Sequence, residues 1–404
     1  MSESILDKIN LDSTWNDFLS RKKMTDIIDA RVPRYEALFN DPQCREVIQN
    51  IVDGRHTFTI PKKKLISRHN TAKKRAVYNF DEYEMMALRL LAMELYRFDN
   101  LFDDCLYSFR RGRSVKNAIV KLSDDKRLNT YYGYKADIHD YFNSIDVERL
   151  TNSLMKEIDD KRLNCLFASI LLDGRTDHNG EIIYEKKGAM AGVPISAFLA
   201  NYYLKDIDNY FSNEKCIYMR YADDILILCE DKIMLEHHRS SLLRMIKEHG
   251  LEINPKKEQY IFPNDPIEFL GFTITQNCID ISQKTVRKTK GKIRRSARSI
   301  RRWMLKKNAP VEGTIRAMIR TYNHKFFGYD NSELTWALWY LPAISTDKSL
   351  KEIDHHLQDW IRYIATGRHN KKNYVAVPYE MMVKNGYRTL VDYYHNGAKR
   401  KKEV

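Results

Sequence analysis

Residues 217–231 read "IYMRYADDILILCED". Two apolar, β-branched runs flank a pair of adjacent carboxylates, Asp223 and Asp224. Successive residues of a strand point to opposite faces, so neighbouring aspartates on a straight strand could not share one task. At the tip of a tight hairpin both can project to the same side, and "ADD" is expected to form that tip. Like charges this close repel strongly unless a cation lies between them. A divalent metal resolves the conflict, and hard oxygen ligands favour Mg²⁺ or Mn²⁺.

One hairpin rarely completes such a site. Upstream, "YKADIHDYF" (134–142) offers Asp137 at the end of a strand-like run. Three carboxylates on adjacent strands could hold two metals about 3.5–4 Å apart, the arrangement used for in-line displacement at phosphorus. One metal would lower the pKa of an attacking 3′-hydroxyl; the other would bridge triphosphate oxygens and steady the leaving pyrophosphate. A bare pair of aspartates is an ordinary polar turn. The apolar flanks and the third carboxylate are what make this one a candidate metal centre.

The chain around these residues is that of a globular protein. Its 404 residues suffice for two or three domains, 43% are hydrophobic, and Lys and Arg (68) exceed Asp and Glu (54) by 14. Such a surplus predicts a polyanionic partner, nucleic acid or an acidic membrane surface. The six cysteines are scattered with no C-x-x-C pair, which argues against a zinc or thioredoxin-like site and fits reduced thiols in a cytoplasm. No apolar run approaches membrane-spanning length, and the first residues do not resemble a signal peptide.

Periodicity predicts amphipathic helices over 1–54, a basic hairpin over 55–79, a helix over 81–104 with Met85, Leu88, Leu91 and Leu95 on one face, and a strand turning into a short helix over 130–145. Then come a helix through "SAFLANYYLKDIDNYF", the central hairpin, a helix over 232–250 ending at Gly250, and a cluster of short strands over 260–282. Residues 284–307 hold 12 Lys or Arg and no acid, reading as a helix with cations on every face. The helix over 349–364 carries Leu350, Ile353, Leu357, Trp360 and Ile364 at core spacing.

At this point the sequence resembles the reverse transcriptase superfamily, specifically its bacterial group II intron and retron-like branch. The family's motifs occur in order: "LYSFRRGRS" (106–114) resembles a fingers motif, "KADIHDYFNSID" (135–146) motif A, "GAMAGVPISAFLANYYLKDID" (188–208) motif B, "YADD" (221–224) motif C, "GLEINPKKE" (250–258) motif D and "EFLGF" (268–272) motif E. The resemblance implies an α+β, right-hand polymerase fold: an N-terminal helical extension over 1–54, fingers and palm with an antiparallel sheet over 55–282, and a basic helical thumb over 283–404. It makes Asp137, Asp223 and Asp224 the metal-binding carboxylates, joined by the carbonyl of Ile138. Phe142 falls at the steric-gate position that favours deoxynucleotides. Arg75 in "AKKRAVY" aligns with the arginine that grips the triphosphate, assisted by Arg68 or Lys74. Lys257 matches a proton donor to pyrophosphate, and Gly192 lets the backbone approach the nucleotide. Ala191 stands where intron relatives usually carry Gln. The stretch "AGVPISAFLANYYL" looks more like the defence-associated and abortive-infection members, and no endonuclease cassette follows the expected thumb.

For nucleic-acid contact the cations expected are Arg110, Arg111 and Arg113 of the fingers motif and Arg287, Lys288, Arg294, Arg295, Arg298 and Arg302 of the basic helix. The aromatic-rich stretch 326–344 is expected to pack the thumb core. The resulting expectation is an RNA-directed DNA polymerase using two Mg²⁺ ions (or Mn²⁺) and dNTPs to make cDNA from a structured non-coding RNA, in the cytoplasm, in antiphage defence, without a membrane partner and compatible with a homo-oligomer. Template-independent or protein-primed DNA synthesis, and a non-catalytic, maturase-like RNA-binding scaffold, are the alternatives.

Overall fold

The computed structural model describes residues 4–23, 31–67, 74–186, 188–328 and 335–400. The expected α+β class is observed, in two compact units: residues 1–114 with 130–263, and residues 115–129 with 264–404. Compactness therefore cuts the chain elsewhere than the role-based division at 54/55 and 282/283. Among the described residues no helix is long and apolar enough to cross a membrane.

At the heart of the first unit is a four-stranded antiparallel sheet ordered β6-β7-β3-β8, from β3 (Tyr132–Asp137), β6 (Ile217–Tyr221), β7 (Asp224–Cys229) and β8 (Gln259–Ile261). All of Ile225–Cys229 is buried, which explains an apolar run without the alternation of a half-exposed strand. Gly133 is required in β3: a Cβ there would lie 2.7 Å from Leu228 Cδ2 and 3.0 Å from Ile261 Cβ.

A second sheet, ordered β2-β1-β4-β5, contains the expected basic hairpin of β1 (Lys62–Ser67) and β2 (Lys74–Asn79), followed by β4 (Arg175–His178) and β5 (Glu181–Tyr184). Glu185 ties it together, pairing with Lys63 and accepting from Tyr78 Oη at 3.0 Å and Thr176 Oγ1 at 3.1 Å. The helices before residue 54 pack with the helix Glu82–Glu94. That helix starts with a capping box: Asp81 accepts from Tyr83 N, and Glu84 accepts from Asp81 N. The four expected core residues Met85, Leu88, Leu91 and Leu95 are buried, together with Met86 and Leu90, so this helix is enclosed on several sides.

Two expectations are corrected in this unit. The single helix through 196–211 is two, Ser196–Tyr203 and Lys205–Ser212, broken at Leu204 (φ −106°, ψ 10°). The strand cluster 260–282 is divided: β8 pairs with β3, whereas the later strands form their own sheet in the second unit.

That second-unit sheet is ordered β11-β10-β9, from β9 (Ile267–Phe269), β10 (Phe272–Thr275) and β11 (Cys278–Ile281), and the helix Val115–Ser123 packs on it. The basic segment forms the helix Gln283–Lys307, N-capped by Ser282. Its cations do not occupy every face. Val286, Ile293, Ala297 and Met304 make a buried stripe, and the helix packs on Lys348–Thr366, whose Leu350, Ile353, Leu357, Trp360 and Ile364 are buried as expected. An apolar stripe at helical spacing must be covered even on a strongly charged helix. In the described part of 326–344, Phe326, Phe327, Leu341, Ala343 and Ile344 are buried, whereas Trp336 and Tyr340 are only half-buried and Leu338 is exposed. The Phe326 and Trp336 rings lie 5.4 Å apart and those of Trp336 and Tyr340 4.8 Å apart.

Candidate active site

Register pairing of Tyr221 with Asp224 leaves Ala222 and Asp223 as a two-residue turn. Ala222 adopts φ 55°. A left-handed first residue suits the turns that match strand twist. On the neighbouring strand Asp137 is the last residue of β3 and the direct partner of Asp224. Main-chain bonds hold the three segments in place: Ile138 N donates to Asp223 O at 3.1 Å, Asn254 N to Asp137 O at 2.8 Å, and His139 N to Glu252 O at 2.8 Å. The result is convergence: one carboxylate oxygen from each of Asp137, Asp223 and Asp224 lies within 4.8 Å of the other two.

Electrostatics make this cluster costly. Burial, then the charges of Asp223 and Asp137, push the Asp224 carboxyl up to about 6. Burial and the Asp137 charge likewise raise Asp223. Lys257 pairs with Asp137 and pulls both back toward ionisation. The donor set fits a hard divalent cation: three carboxylates converge, and for Asp223 and Asp224 the ionised form is disfavoured by burial and by neighbouring negative charge.

Beside the cluster is a cavity of about 470 Å³ in the first unit, lined among others by Lys74, Arg75, Asp137, Ile138, Phe142, Ala191, Asp223 and Lys257. The hairpin places Lys74 and Arg75 exposed on β2, with the Arg75 guanidinium 5.9 Å from the centre of the Phe142 ring. Phe142 is fixed by its neighbours: its carbonyl accepts from Ala189 N at 2.8 Å, and its ring sits edge-on to buried Tyr141. The cavity thus gathers cations at one wall, carboxylates at another and an aromatic ring between them.

Arg68 lies outside the described residues. Gly192 does not line the cavity. Its φ is +107°, and a Cβ would come within 3.1 Å of Tyr78 O and 3.3 Å of Val77 Cβ. The close approach this glycine permits is to strand β2, where Tyr78 N also donates to Ala191 O at 2.8 Å. The sequence reading also passed over His139, Asp140 and Asn254, all on the cavity wall. Their positions beside Asp137 and inside "GLEINPKKE" were the available signal.

The fingers-motif arginines all have acidic partners. Arg110 is almost wholly buried and spent internally, forking onto Asp99 at 2.9 and 3.0 Å and donating to the carbonyls of Asp103 and Asp99. Arg111 pairs with Asp17 and Arg113 with Asp104, both in ion pairs open to solvent, of the kind that contributes little to stability. In the second unit, Arg287, Lys288, Arg294, Arg295, Arg298 and Arg302 are exposed on the helix Gln283–Lys307, with Arg298 lying 5.6 Å over the Trp360 ring.

Comparison with known proteins places the chain in a family. Residues 60–274 match the family described as reverse transcriptase (RNA-dependent DNA polymerase). The chain is 27% identical over 172 residues to an uncharacterized 91 kDa protein in a cob intron of Schizosaccharomyces pombe, covering 42% of this chain and 21% of that protein. It is 29% identical over 106 residues to the retron Ec86 reverse transcriptase of Escherichia coli, covering 25% and 33% respectively. The matches therefore span between about a fifth and a third of the length of these relatives. Among solved structures, apo telomerase from Candida tropicalis, truncated from its C-terminal domain, aligns with TM-score 0.45 and 14% identity over 56% of this chain and 55% of that one. With the family match covering more than half of its residues, the chain belongs to the reverse transcriptase (RNA-dependent DNA polymerase) family.

Proposed function

We propose that this chain is an RNA-directed DNA polymerase that extends a primer with deoxynucleotides. The observation carrying the proposal is the convergence of Asp137, Asp223 and Asp224 beside a cavity walled by Arg75 and Lys74. The three carboxylates would hold two Mg²⁺ ions, with the Ile138 carbonyl at their edge. When bound, such ions supply Lewis acidity for displacement at phosphorus.

The chain's own groups take the remaining tasks. Arg75, helped by Lys74, orients the triphosphate through charge-assisted bonds. Phe142 closes the space a 2′-hydroxyl would need. Lys257, already within reach of Asp137, hands a proton to the departing pyrophosphate. The exposed cations of Gln283–Lys307 hold the nucleic-acid backbone as a thumb, while residues 55–282 serve as fingers and palm behind a helical extension over 1–54. The template we propose is a dedicated structured RNA, and the setting cytoplasmic antiphage defence. Both rest on the likeness of "AGVPISAFLANYYL" to defence-associated family members.

Ala191 is buried and its carbonyl accepts from Tyr78 N, and a methyl side chain offers no polar group to a nucleotide sugar. This favours a second reading, template-independent synthesis. Sequencing the product made with a defined RNA template, an annealed DNA primer, Mg²⁺ and four dNTPs separates the two. A DNA copy complementary to the RNA supports the proposal; an uncopied or absent product removes it. Plating phage on cells with wild-type or triad-substituted genes tests the defence role, which equal plaque counts would eliminate.

A further inference from the structure

Bonded to the Ala222–Asp223 turn is a network of buried polar side chains. Ser108, Asn201, Asp208 and Arg220 are each at most 1% exposed. They come from three segments distant in sequence, and none lines the cavity.

Its centre is Arg220. The guanidinium forks onto Asp208, with Nε donating to Oδ1 at 2.7 Å and Nη2 to Oδ2. Nη2 also donates to the Asn201 carbonyl at 3.1 Å, and Nη1 to the Ala222 carbonyl at 3.3 Å. Tyr218 Oη completes Asp208 at 3.0 Å. On the other side, Ser108 Oγ accepts from Ala222 N at 2.9 Å and donates to Asn201 Oδ1 at 3.1 Å, while Asn201 Nδ2 donates to Ser108 O at 2.8 Å. Main-chain bonds lock the same segments: Arg220 N donates to Cys105 O at 2.9 Å, and Tyr107 N to Arg220 O at 3.0 Å.

Both polar backbone groups of Ala222 are therefore held by buried side chains. Ala222 is an alanine in the left-handed region, a conformation unfavourable for an L-residue that persists only where the surroundings over-determine it. Stability alone does not explain the network, because a buried ion pair is often no better than a well-packed apolar pair. What a guanidinium fork adds is direction.

We infer that Ser108, Asn201, Asp208 and Arg220 are positioning residues that fix the aim of the Asp223 carboxylate by clamping Ala222, an inference that rests on the metal-dependent reading above. They touch neither cation nor substrate. They act through the turn, as outer partners of metal ligands do, whose loss typically lowers metal affinity about 10–100-fold.

The test is Mn²⁺ binding to nucleic-acid-free protein, followed by electron paramagnetic resonance, with thermal melting as the check on folding. Two variants are compared with wild type: Ser108→Ala, and the apolar replacement Asp208→Leu with Arg220→Met. Folded variants with Mn²⁺ affinity lowered about 10–100-fold, and a matching rise in the Mg²⁺ needed for primer extension, support the clamp. Folded variants with wild-type Mn²⁺ affinity and Mg²⁺ requirement overturn it. If the double variant does not fold, Ser108→Ala decides alone on the same criteria. Wild-type protein that binds no Mn²⁺ removes the metal reading itself, and the clamp with it, an outcome distinct from unaltered binding in the variants.

Discussion

Asp137 and Asp224 are direct register partners across β3 and β7, two carboxylates opposed on neighbouring strands with a third, Asp223, at the adjoining turn. Like charges directly opposite destabilise a sheet. The fold accepts that cost at one point, and the first prediction follows from it.

In the absence of metal, Asp224 titrates near 6, above the ordinary carboxylate range, because burial and then its acidic neighbours disfavour its charge. The folded state thus keeps a proton that the unfolded chain releases near pH 4. Its stabilising contribution is present at low pH and disappears as pH rises through about 6. Asp224→Asn is expected to stabilise the metal-free protein at pH 7.5 by on the order of 1–3 kcal/mol, with the advantage vanishing toward pH 4. Paired denaturant melts at several pH values check this. A constant difference across the range contradicts it.

Phe142 sits on the cavity wall with Arg75 over its ring. Phe142→Ala should open space for a 2′-hydroxyl and raise ribonucleotide incorporation relative to deoxynucleotide by about 10-fold or more. Single-nucleotide incorporation with matched dNTP and rNTP measures the ratio.

Gly192 and Gly54 both have positive φ, but only Gly192 is crowded. Gly192→Ala is expected to cost about 2 kcal/mol or more and to disturb the β2 wall, whereas Gly54→Ala, with open space around it, should cost about 1 kcal/mol. Thermal melts of the two variants give the comparison.

The arginines separate into two kinds. Arg110→Ala should lower stability by about 2–3 kcal/mol, because it leaves Asp99 and nearby carbonyls unpaired, without altering salt dependence of nucleic-acid binding. Changing Arg294, Arg298 and Arg302 together to Gln should leave the melting point nearly unchanged. It should flatten the dependence of log affinity on log salt by about 0.7–0.9 for each phosphate that is no longer neutralised. Filter binding over a salt series distinguishes the two classes.

These outcomes bear on what the sequence can convey. The acidic triad was legible because charge inside apolar strands is locally conspicuous, and Asp223 and Asp224 declare themselves in "YADD". Arg110 reads as an available cation because charge shows in a sequence while its partner, Asp99, does not. The Ser108–Asn201–Asp208–Arg220 network was invisible for the same reason: each residue is unremarked alone, and the bonds that define it cross as many as 114 positions. The apolar stripe Val286, Ile293, Ala297 and Met304 stood at readable spacing but was hidden among cations. The separation of β8 from the strands that follow it depends on pairing with β3, a long-range choice that local alternation does not express.

The most direct test of the central claim is incorporation of one deoxynucleotide onto a DNA primer annealed to RNA, measured against Mg²⁺ concentration for wild type and for Asp223→Asn with Asp224→Asn. The expected result is Mg²⁺-dependent, template-directed extension by wild type and none by the variant while its fold is retained. Extension by the variant at the wild-type rate, or by either protein without a divalent cation, would contradict the account.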